Sequence, residues 1–373
     1  SDVCSSDLIA TTGRRGPVLI DLPMNIQRSE VENPVYDMTF EDKHTDAAAA
    51  QQAADTILEA LEQAKRPVIM LGHGVDSSFS QQKLIRFAQK RQIPIITSVL
   101  AKSVLGYDHP LNFGCIGGAY GHRYANMIAN AKSDLLLCFG ISLCTRQIGT
   151  KVHEFARGAK IIRIDIDPYN LQRDIHENGE NEVKLQAETG AVIDCLAKVD
   201  DPDIEGVSDW LNVCTEIKEN LQAVDDATPE RYPNRMIADL SDMLEDTSAI
   251  AVDVGQHMVW SYQSFKNHEG QKLLFSGGHG AMGYGLPAAI GAYYATGKPT
   301  ACICGDGALQ MNIQELEWVK RENLPVKIMV MNNEALGMIR HLQRDYFDCL
   351  FAGTTDGCGF ASDRKSTRLN SSH

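Results

Sequence analysis

Short apolar runs of strand length recur along the chain, each ending in a glycine-bearing turn and separated from the next by a segment with helical spacing. Pro67-Val-Ile-Met-Leu71 enters Gly72-His-Gly74, Asp134-Leu-Leu-Leu-Cys-Phe139 enters Gly140, and Ala301-Cys-Ile-Cys304 enters Gly305-Asp-Gly307. A run that is apolar at every position suits a strand covered on both faces, and strand–helix alternation gives a parallel sheet that cover. The pattern predicts an α/β chain of doubly wound parallel sheets. A Rossmann-like central domain is expected over 46–200 and a second α/β domain over 229–362. In the first, strands are expected at 67–71, 93–97, 134–139 and 160–166, with helices from Asp46, near 80–91 and near 123–131. In the second, strands are expected at 249–254, 300–304 and 326–331, with helices over 234–244, from about 282, and over 310–322.

The remaining segments read differently. Gly16-Pro-Val-Leu-Ile-Asp-Leu-Pro23 has the pattern of a strand, and residues 9–30 are expected to be the tail of a further, truncated domain. Residues 31–45 are polar without a sustained period and are expected as a linker. So are residues 201–228, which are acidic with an amphipathic stretch around Trp210–Leu221. At the two ends, Asp363–Arg368 can be encoded by a DNA string whose reverse complement translates as Asp2–Asp7. Residues 1–8 and 363–373 are therefore expected to be adapter-derived and non-native.

Composition narrows the partners. The formal net charge is −14 with no Lys/Arg block, which argues against a phosphate-tracking nucleic-acid face. The apolar runs are far short of the roughly 18 residues of a membrane span. Ten cysteines are scattered without paired zinc spacing, as expected of reduced core thiols in a cytoplasmic protein. Cys302 and Cys304 alternate along one strand and are read as core packing. The expected partner is a small molecule, not nucleic acid or a membrane.

The chemistry concentrates at three strand ends of the second domain. Gly305-Asp306-Gly307 follows a buried strand and opens a helix, which places a carboxylate and close-approach glycines where an α/β sheet binds ligands, with helix amides suited to a phosphate. The next strand ends 24 residues beyond Gly307 at Met331-Asn-Asn-Glu334, so one crossover returns Asn332 and Asn333 to the same edge. A carboxylate and an amide oxygen form a hard donor set of the kind Mg²⁺ takes beside phosphate. Asp253-Val-Gly-Gln-His257 ends another strand with donors at that edge, and Gly277-Gly-His-Gly-Ala-Met-Gly-Tyr-Gly285 permits close approach by a cofactor. Gly72-His-Gly74 suggests a nucleotide-binding oxidoreductase as the competing reading, but Ser77 leaves the G-x-G-x-x-G pattern incomplete. A third reading makes the central domain a structural spacer.

Together these segments resemble the thiamine diphosphate-dependent enzymes of the acetolactate synthase large-subunit group, over nearly all of residues 9–361. The resemblance implies that Asp306, the Asn333 side chain and the Ala335 carbonyl bind Mg²⁺. It implies that Gln256, His257, Gly307 and Ala308 hold the cofactor's diphosphate, with Gly255 and Gly305 beside them. Met282 would prop the cofactor into its bent shape, the Gly280 carbonyl would meet the aminopyrimidine, and Gly337 and Met338 would lie alongside. The implied activity is decarboxylation and carboligation of 2-oxo acids, pyruvate to acetolactate first, in branched-chain amino-acid biosynthesis. A thiamine diphosphate-dependent decarboxylase or lyase of another 2-oxo acid is the alternative. The implied assembly is a homodimer or homotetramer with shared active sites. The group's catalytic glutamate belongs to a domain of which only Ile9–Arg28 is expected here, so no catalytic acid or base is named and the chain alone is expected to be inactive.

Three positions depart from the group. Ser142-Leu-Cys-Thr-Arg146 replaces the Arg-Phe-Asp-Asp-Arg stretch associated with FAD and keeps only its last arginine, although Asp165-Ile-Asp-Pro168 fits the following strand end. FAD is thus an open second cofactor rather than an expected one. Leu342 replaces a tryptophan that shapes the acceptor pocket, and Gly117-Gly-Ala-Tyr-Gly-His-Arg123 replaces Gly-Met-His-Gly.

Overall fold

The computed structural model describes residues 10–11, 13–30, 46–75, 77–118, 120–199 and 207–354. The expected adapter segments 1–8 and 363–373 and the linker 31–45 lie outside them.

Two parallel sheets carry the chain, as the alternation predicts. The first has the order β3-β2-β1-β4-β5-β6. Its strands are β1 (Pro67–Leu71), β2 (Ile95–Thr97), β3 (Asn112–Cys115), β4 (Leu135–Phe139), β5 (Lys160–Asp165) and β6 (Glu182–Gln186). Ile69 pairs with Ile95 on one side and with Leu137 on the other, and β1 and β4 are almost wholly buried, which is why they read as uninterrupted apolar runs. Helix α1 (Ala47–Gln63) covers the sheet with Ala50, Ala53, Ala54, Ile57, Ala60 and Leu61, a stripe at helical spacing. It starts where the Asp46 carboxylate accepts from the amides of Ala48 and Ala49 at 2.9 and 3.1 Å. Helices α2 (Ser78–Arg91) and α3 (Thr189–Leu196) add buried Leu84, Phe87, Val192 and Ile193.

The segment 201–228 is more than a connection. Helix α4 (Asp209–Asn220) buries Trp210, Leu211 and Cys214 in the core of the first sheet, and Trp210 Nε1 donates to the carbonyl of Pro67 at 2.9 Å. The amphipathic stretch thus serves as a covering helix, because its apolar stripe finds the sheet. The expected strand over 16–23 does not form. Among the described residues no strand pairs with it, and Leu19 is 95% exposed, so its alternation has no sheet to enter.

The second sheet has the order β10-β9-β7-β8, all parallel. It consists of β7 (Ala249–Val252), β8 (Lys272–Phe275), β9 (Thr300–Gly305) and β10 (Val326–Met331). Around it lie α5 (Pro233–Met243), α6 (Gln256–Ser264), α7 (Gly285–Thr296), α8 (Asp306–Met311), α9 (Glu315–Arg321) and α10 (Gly337–Tyr346). Cys302 and Cys304 are buried in this core with Leu286, Ala289 and Leu309, the packing role expected of them. The helix expected over 310–322 is broken at Asn312, whose side chain donates to the carbonyl of Gly283 at 2.6 Å instead of facing solvent on a continuous helix. The sheets are tied directly: Tyr107 N–H donates to the Asn267 carbonyl at 2.8 Å and Asn267 Nδ2 to the Leu105 carbonyl at 2.9 Å.

Candidate functional site

From β7 the chain passes to β8 on one side and then to β9 on the other, so the carboxyl ends of β7 and β9 meet at a topological switch point, where open α/β sheets place ligands. The β7–α6 turn brings Gly255, Gln256 and His257 there. The β9–α8 turn brings Gly305, Asp306, Gly307 and Ala308, and the β10–α10 turn brings Asn333, Ala335, Gly337 and Met338. The loop 277–285 adds Gly280 and Met282. Every one of these residues, picked out in the sequence, lines a single cleft of about 260 Å³. Trp260, Leu336 and Ile339 complete its wall; they carry no turn or motif signal and were not legible in advance.

Asp253 builds the cleft without facing a ligand. Its Oδ1 accepts from the amides of Val254 and Gly283 at 2.7 and 2.9 Å, and its Oδ2 from Gly285 at 2.7 Å. Burial pushes this carboxyl up from its ordinary value and the three amides pull the other way. The result is that the end of β7 fixes the far half of the glycine loop. Gly285 fits the contact closely, since a Cβ there would stand 3.0 Å from the Asp253 carboxylate and from Cys302 Sγ.

Asp306 is the opposite case. It is 4% exposed, and its Oδ2 is buried with no hydrogen-bond partner. Burial raises its pKa, opposed by backbone amides that include those of Gly307 and Asn333. A buried carboxylate oxygen with no donor is costly unless a cation completes it. Asn333 stands beside it: its Nδ2 donates to Gln256 Oε1 at 3.0 Å and its Oδ1 accepts from the Ala335 amide at 3.2 Å. Gly337 leaves room for this pair, because a Cβ there would lie 2.1 Å from Gln256 Oε1. Among the described residues no group of three or more His, Cys, Asp or Glu side chains gathers as a metal site. A cation at Asp306 would therefore draw on amide and carbonyl oxygens and on the ligand's own oxygens.

His257 packs across Gly255 and Gly305, where added Cβ atoms would stand 2.5 and 3.2 Å from its Cε1. Its ring is tied to the Asp253 carbonyl, burial lowers its pKa to about 4, and Nε2 is buried without a partner. The imidazole is neutral at ordinary pH and points one unpaired nitrogen away from its anchor.

The switch point of the first sheet, between β1 and β4, differs. A Cβ on Gly72 would lie 1.9 Å from the Gly140 carbonyl oxygen and one on Gly74 2.8 Å from Gly140 Cα. These glycines serve a backbone crossing. The Asp165 carboxylate is taken by the Asp167 amide at 2.9 Å and Asn170 Nδ2 at 3.2 Å, while Asp167 accepts from the Tyr169 amide and pairs with Arg14. Arg146, the arginine kept from the FAD-associated stretch, donates to the carbonyls of Gly277 and Gly278.

Comparison with known families agrees with this geometry. Residues 54–196 match the central domain of thiamine pyrophosphate enzymes, and residues 253–363 match their C-terminal TPP binding domain. The chain belongs to the thiamine pyrophosphate enzymes, and the cleft lies in the domain that takes thiamine diphosphate in that family. Within the family it is similar to acetolactate synthase large subunits. It is 35% identical to the "Probable acetolactate synthase large subunit" of Methanocaldococcus jannaschii, over 91% of this chain and 58% of that protein. It is 33% identical to the acetolactate synthase isozyme 1 large subunit of Escherichia coli, over 94% and 60%, and 34% identical to the chloroplastic acetolactate synthase 1 of Nicotiana tabacum, over 89% and 50%. The chain thus spans about three fifths or less of the length of these relatives. No helix among the described residues is long and apolar enough to cross a membrane.

Proposed function

We propose that the cleft holds the diphosphate of thiamine diphosphate through Mg²⁺, bound by Asp306, the Asn333 side chain and the Ala335 carbonyl. The observation that carries this reading is the unpaired, buried Asp306 Oδ2 at the end of β9. One hard carboxylate oxygen beside neutral amide oxygens suits Mg²⁺, which keeps phosphate oxygens in its shell. Gln256, His257, Gly307 and Ala308 meet the diphosphate, His257 through Nε2 once the anion draws a proton onto that nitrogen. Met282 and the Gly280 carbonyl set the far end of the cofactor, with Gly337 and Met338 alongside. When bound, thiamine diphosphate supplies the carbon nucleophile for a 2-oxo acid and accommodates the electrons left as CO₂ departs. The residues of this chain contribute position.

The whole protein is proposed to be an acetolactate synthase-like, cytoplasmic carboligase of branched-chain amino-acid biosynthesis, joining two pyruvates, and to act as a homodimer or homotetramer. A hollow of about 470 Å³ shares Gln256, Trp260 and Met338 with the cofactor cleft and is lined on its other side by Tyr120, Leu342 and Tyr346. That wall, with a leucine at 342, favours a second reading in which the same chemistry acts on another 2-oxo acid. The test is CO₂ release and acetolactate formation from pyruvate by the whole protein, with and without thiamine diphosphate and Mg²⁺, and with Asp306→Ala. The expected result is cofactor-dependent acetolactate, lost by at least about a hundredfold in the variant. Turnover of a different 2-oxo acid would move the substrate, and failure to bind the cofactor would overturn the reading.

A further inference from the structure

The loop 277–285 contains five glycines in nine residues, a backbone that gives up much conformational freedom when fixed. Its far half is held from within its own domain, by Asp253 on the amides of Gly283 and Gly285 and by Asn312 on the Gly283 carbonyl. Its near half is met from the other sheet. Arg146 Nη1 donates to the carbonyls of Gly277 and Gly278 at 3.0 and 3.1 Å. Leu100 lies so close over Gly277 that a Cβ there would stand 2.9 Å from Leu100 Cδ2.

Both residues leave the carboxyl edge of the first sheet. Leu100 lies in the 3-10 turn Val99–Val104 after β2, and Arg146 in the single helical turn Thr145–Ile148 after β4. The neighbour of Leu100, Val99, packs against the core of the second sheet, so the turn is anchored on both sides of the junction. A charged donor on two successive carbonyls is stronger than a neutral one.

We propose that Arg146 and Leu100 are positioning residues for the cofactor loop, so that the central domain sets where Gly280 and Met282 stand and is not a spacer. The assignment of this loop to thiamine diphosphate rests on the reading given under Proposed function; the positioning itself rests on the contacts. It also gives the retained Arg146 a task independent of FAD.

The test uses the 373-residue chain with Arg146→Ala, Arg146→Lys and Leu100→Ala. Hydrogen exchange is followed by peptide, and thiamine diphosphate with Mg²⁺ is titrated by quenching of tryptophan fluorescence, Trp260 lying in the cleft wall. Arg146→Ala and Leu100→Ala are expected to speed exchange over 277–283 while leaving β8 and α7 unchanged, and Arg146→Ala to weaken the cofactor about tenfold. Arg146→Lys, which keeps a charged donor, is expected to restore part of both effects. Unchanged exchange over 277–283 overturns the proposal, as does faster exchange spread equally through β8 and α7, or altered exchange with unaltered cofactor affinity. A wild-type chain that takes up no thiamine diphosphate counts against the cofactor reading, and the exchange result then decides the positioning alone.

Discussion

The switch point between β1 and β4 and the one between β7 and β9 are both lined with glycine, yet their polar atoms are disposed in opposite ways. At the first, Gly72 and Gly74 press against Gly140, and the carboxylates of Asp165 and Asp167 are matched by protein donors. Behind them, Arg163 and Glu182 form a buried ion pair at 2.7 Å, with Glu182 Oε2 also accepting from the Ile175 amide. At the second, Asp306 Oδ2 and His257 Nε2 are buried without partners. Glycine at a strand end therefore does not by itself mark a ligand site. Two desolvated, unmatched atoms converging on one cleft mark it better than a lone one such as Arg163 Nε, which is also buried without a partner.

One chemical change made in both places should have opposite effects. Glu182→Gln strands the buried Arg163 charge and is expected to cost about 3–5 kcal/mol, read as a fall in the denaturation midpoint of the transition that includes β5 and β6. Asp306→Asn removes a carboxylate whose burial already disfavours its charge. It is expected to leave the midpoint unchanged or raised by up to about 1 kcal/mol in the absence of metal, while abolishing the Mg²⁺-dependent uptake of thiamine diphosphate. If Asp306→Asn lowers the midpoint as far as Glu182→Gln does, its carboxylate is a structural group and the contrast fails.

The same contrast explains what could be read in advance. β1 and β4 are continuous apolar runs, β9 and β10 are apolar apart from Thr300 and Lys327, and Asp306 and Asn333 are placed by strand ends one crossover apart, so local pattern was enough. β6, Glu-Val-Lys-Leu-Gln, is a half-buried edge strand, and its Glu182 side chain is buried against Arg163, which reaches it from two positions along on the neighbouring strand, a fact no local window contains. β3 and β8 have four residues each, too few for a period. The break at Asn312 and the task of Asp253 depend on carbonyls and amides 29 to 32 residues away. Residues 16–23 carry strand pattern without a strand, since pairing and not propensity decides.

Glycines sharpen the comparison at smaller scale. Gly72→Ala would drive a Cβ to 1.9 Å from a backbone oxygen. Two chain segments must part to admit it, and the expected loss is about 3 kcal/mol or more, seen as poor recovery or a lowered melting temperature. Gly280 has a φ of +76° but nothing within 4 Å of an added Cβ. Gly280→Ala should therefore cost only the left-handed strain of about 1–2 kcal/mol. Equal losses would mean that the cleft loop is packed as tightly as the central crossing.

The last contrast is titration. His122 and His257 are both buried and both held below the usual imidazole value, His122 by burial and then by the nearby Lys102 charge, His257 by burial to about 4. His122 Nδ1 accepts from the Cys115 amide at 2.9 Å, a bond that protonation would break. In the unfolded chain both rings take up a proton near pH 6.5, while in the folded chain they resist it, so stability is full above that pH and falls as pH is lowered. The slope is about 1.4 kcal/mol per pH unit for each ring, and the His257 share ends near pH 4, where the folded ring protonates as well. His122 does not line the cofactor cleft, whereas the free Nε2 of His257 does face ligand in the proposed reading. Thiamine diphosphate with Mg²⁺ places an anion beside His257, raises its pKa and should remove its share of the acid loss, leaving the share of His122 in place. Melting temperatures from pH 7.5 to 4.5, with and without the cofactor, for wild type and His257→Gln, check this. A cofactor that flattens the profile of His257→Gln as much as that of the wild type would show that the unpaired nitrogen is not where the anion lies.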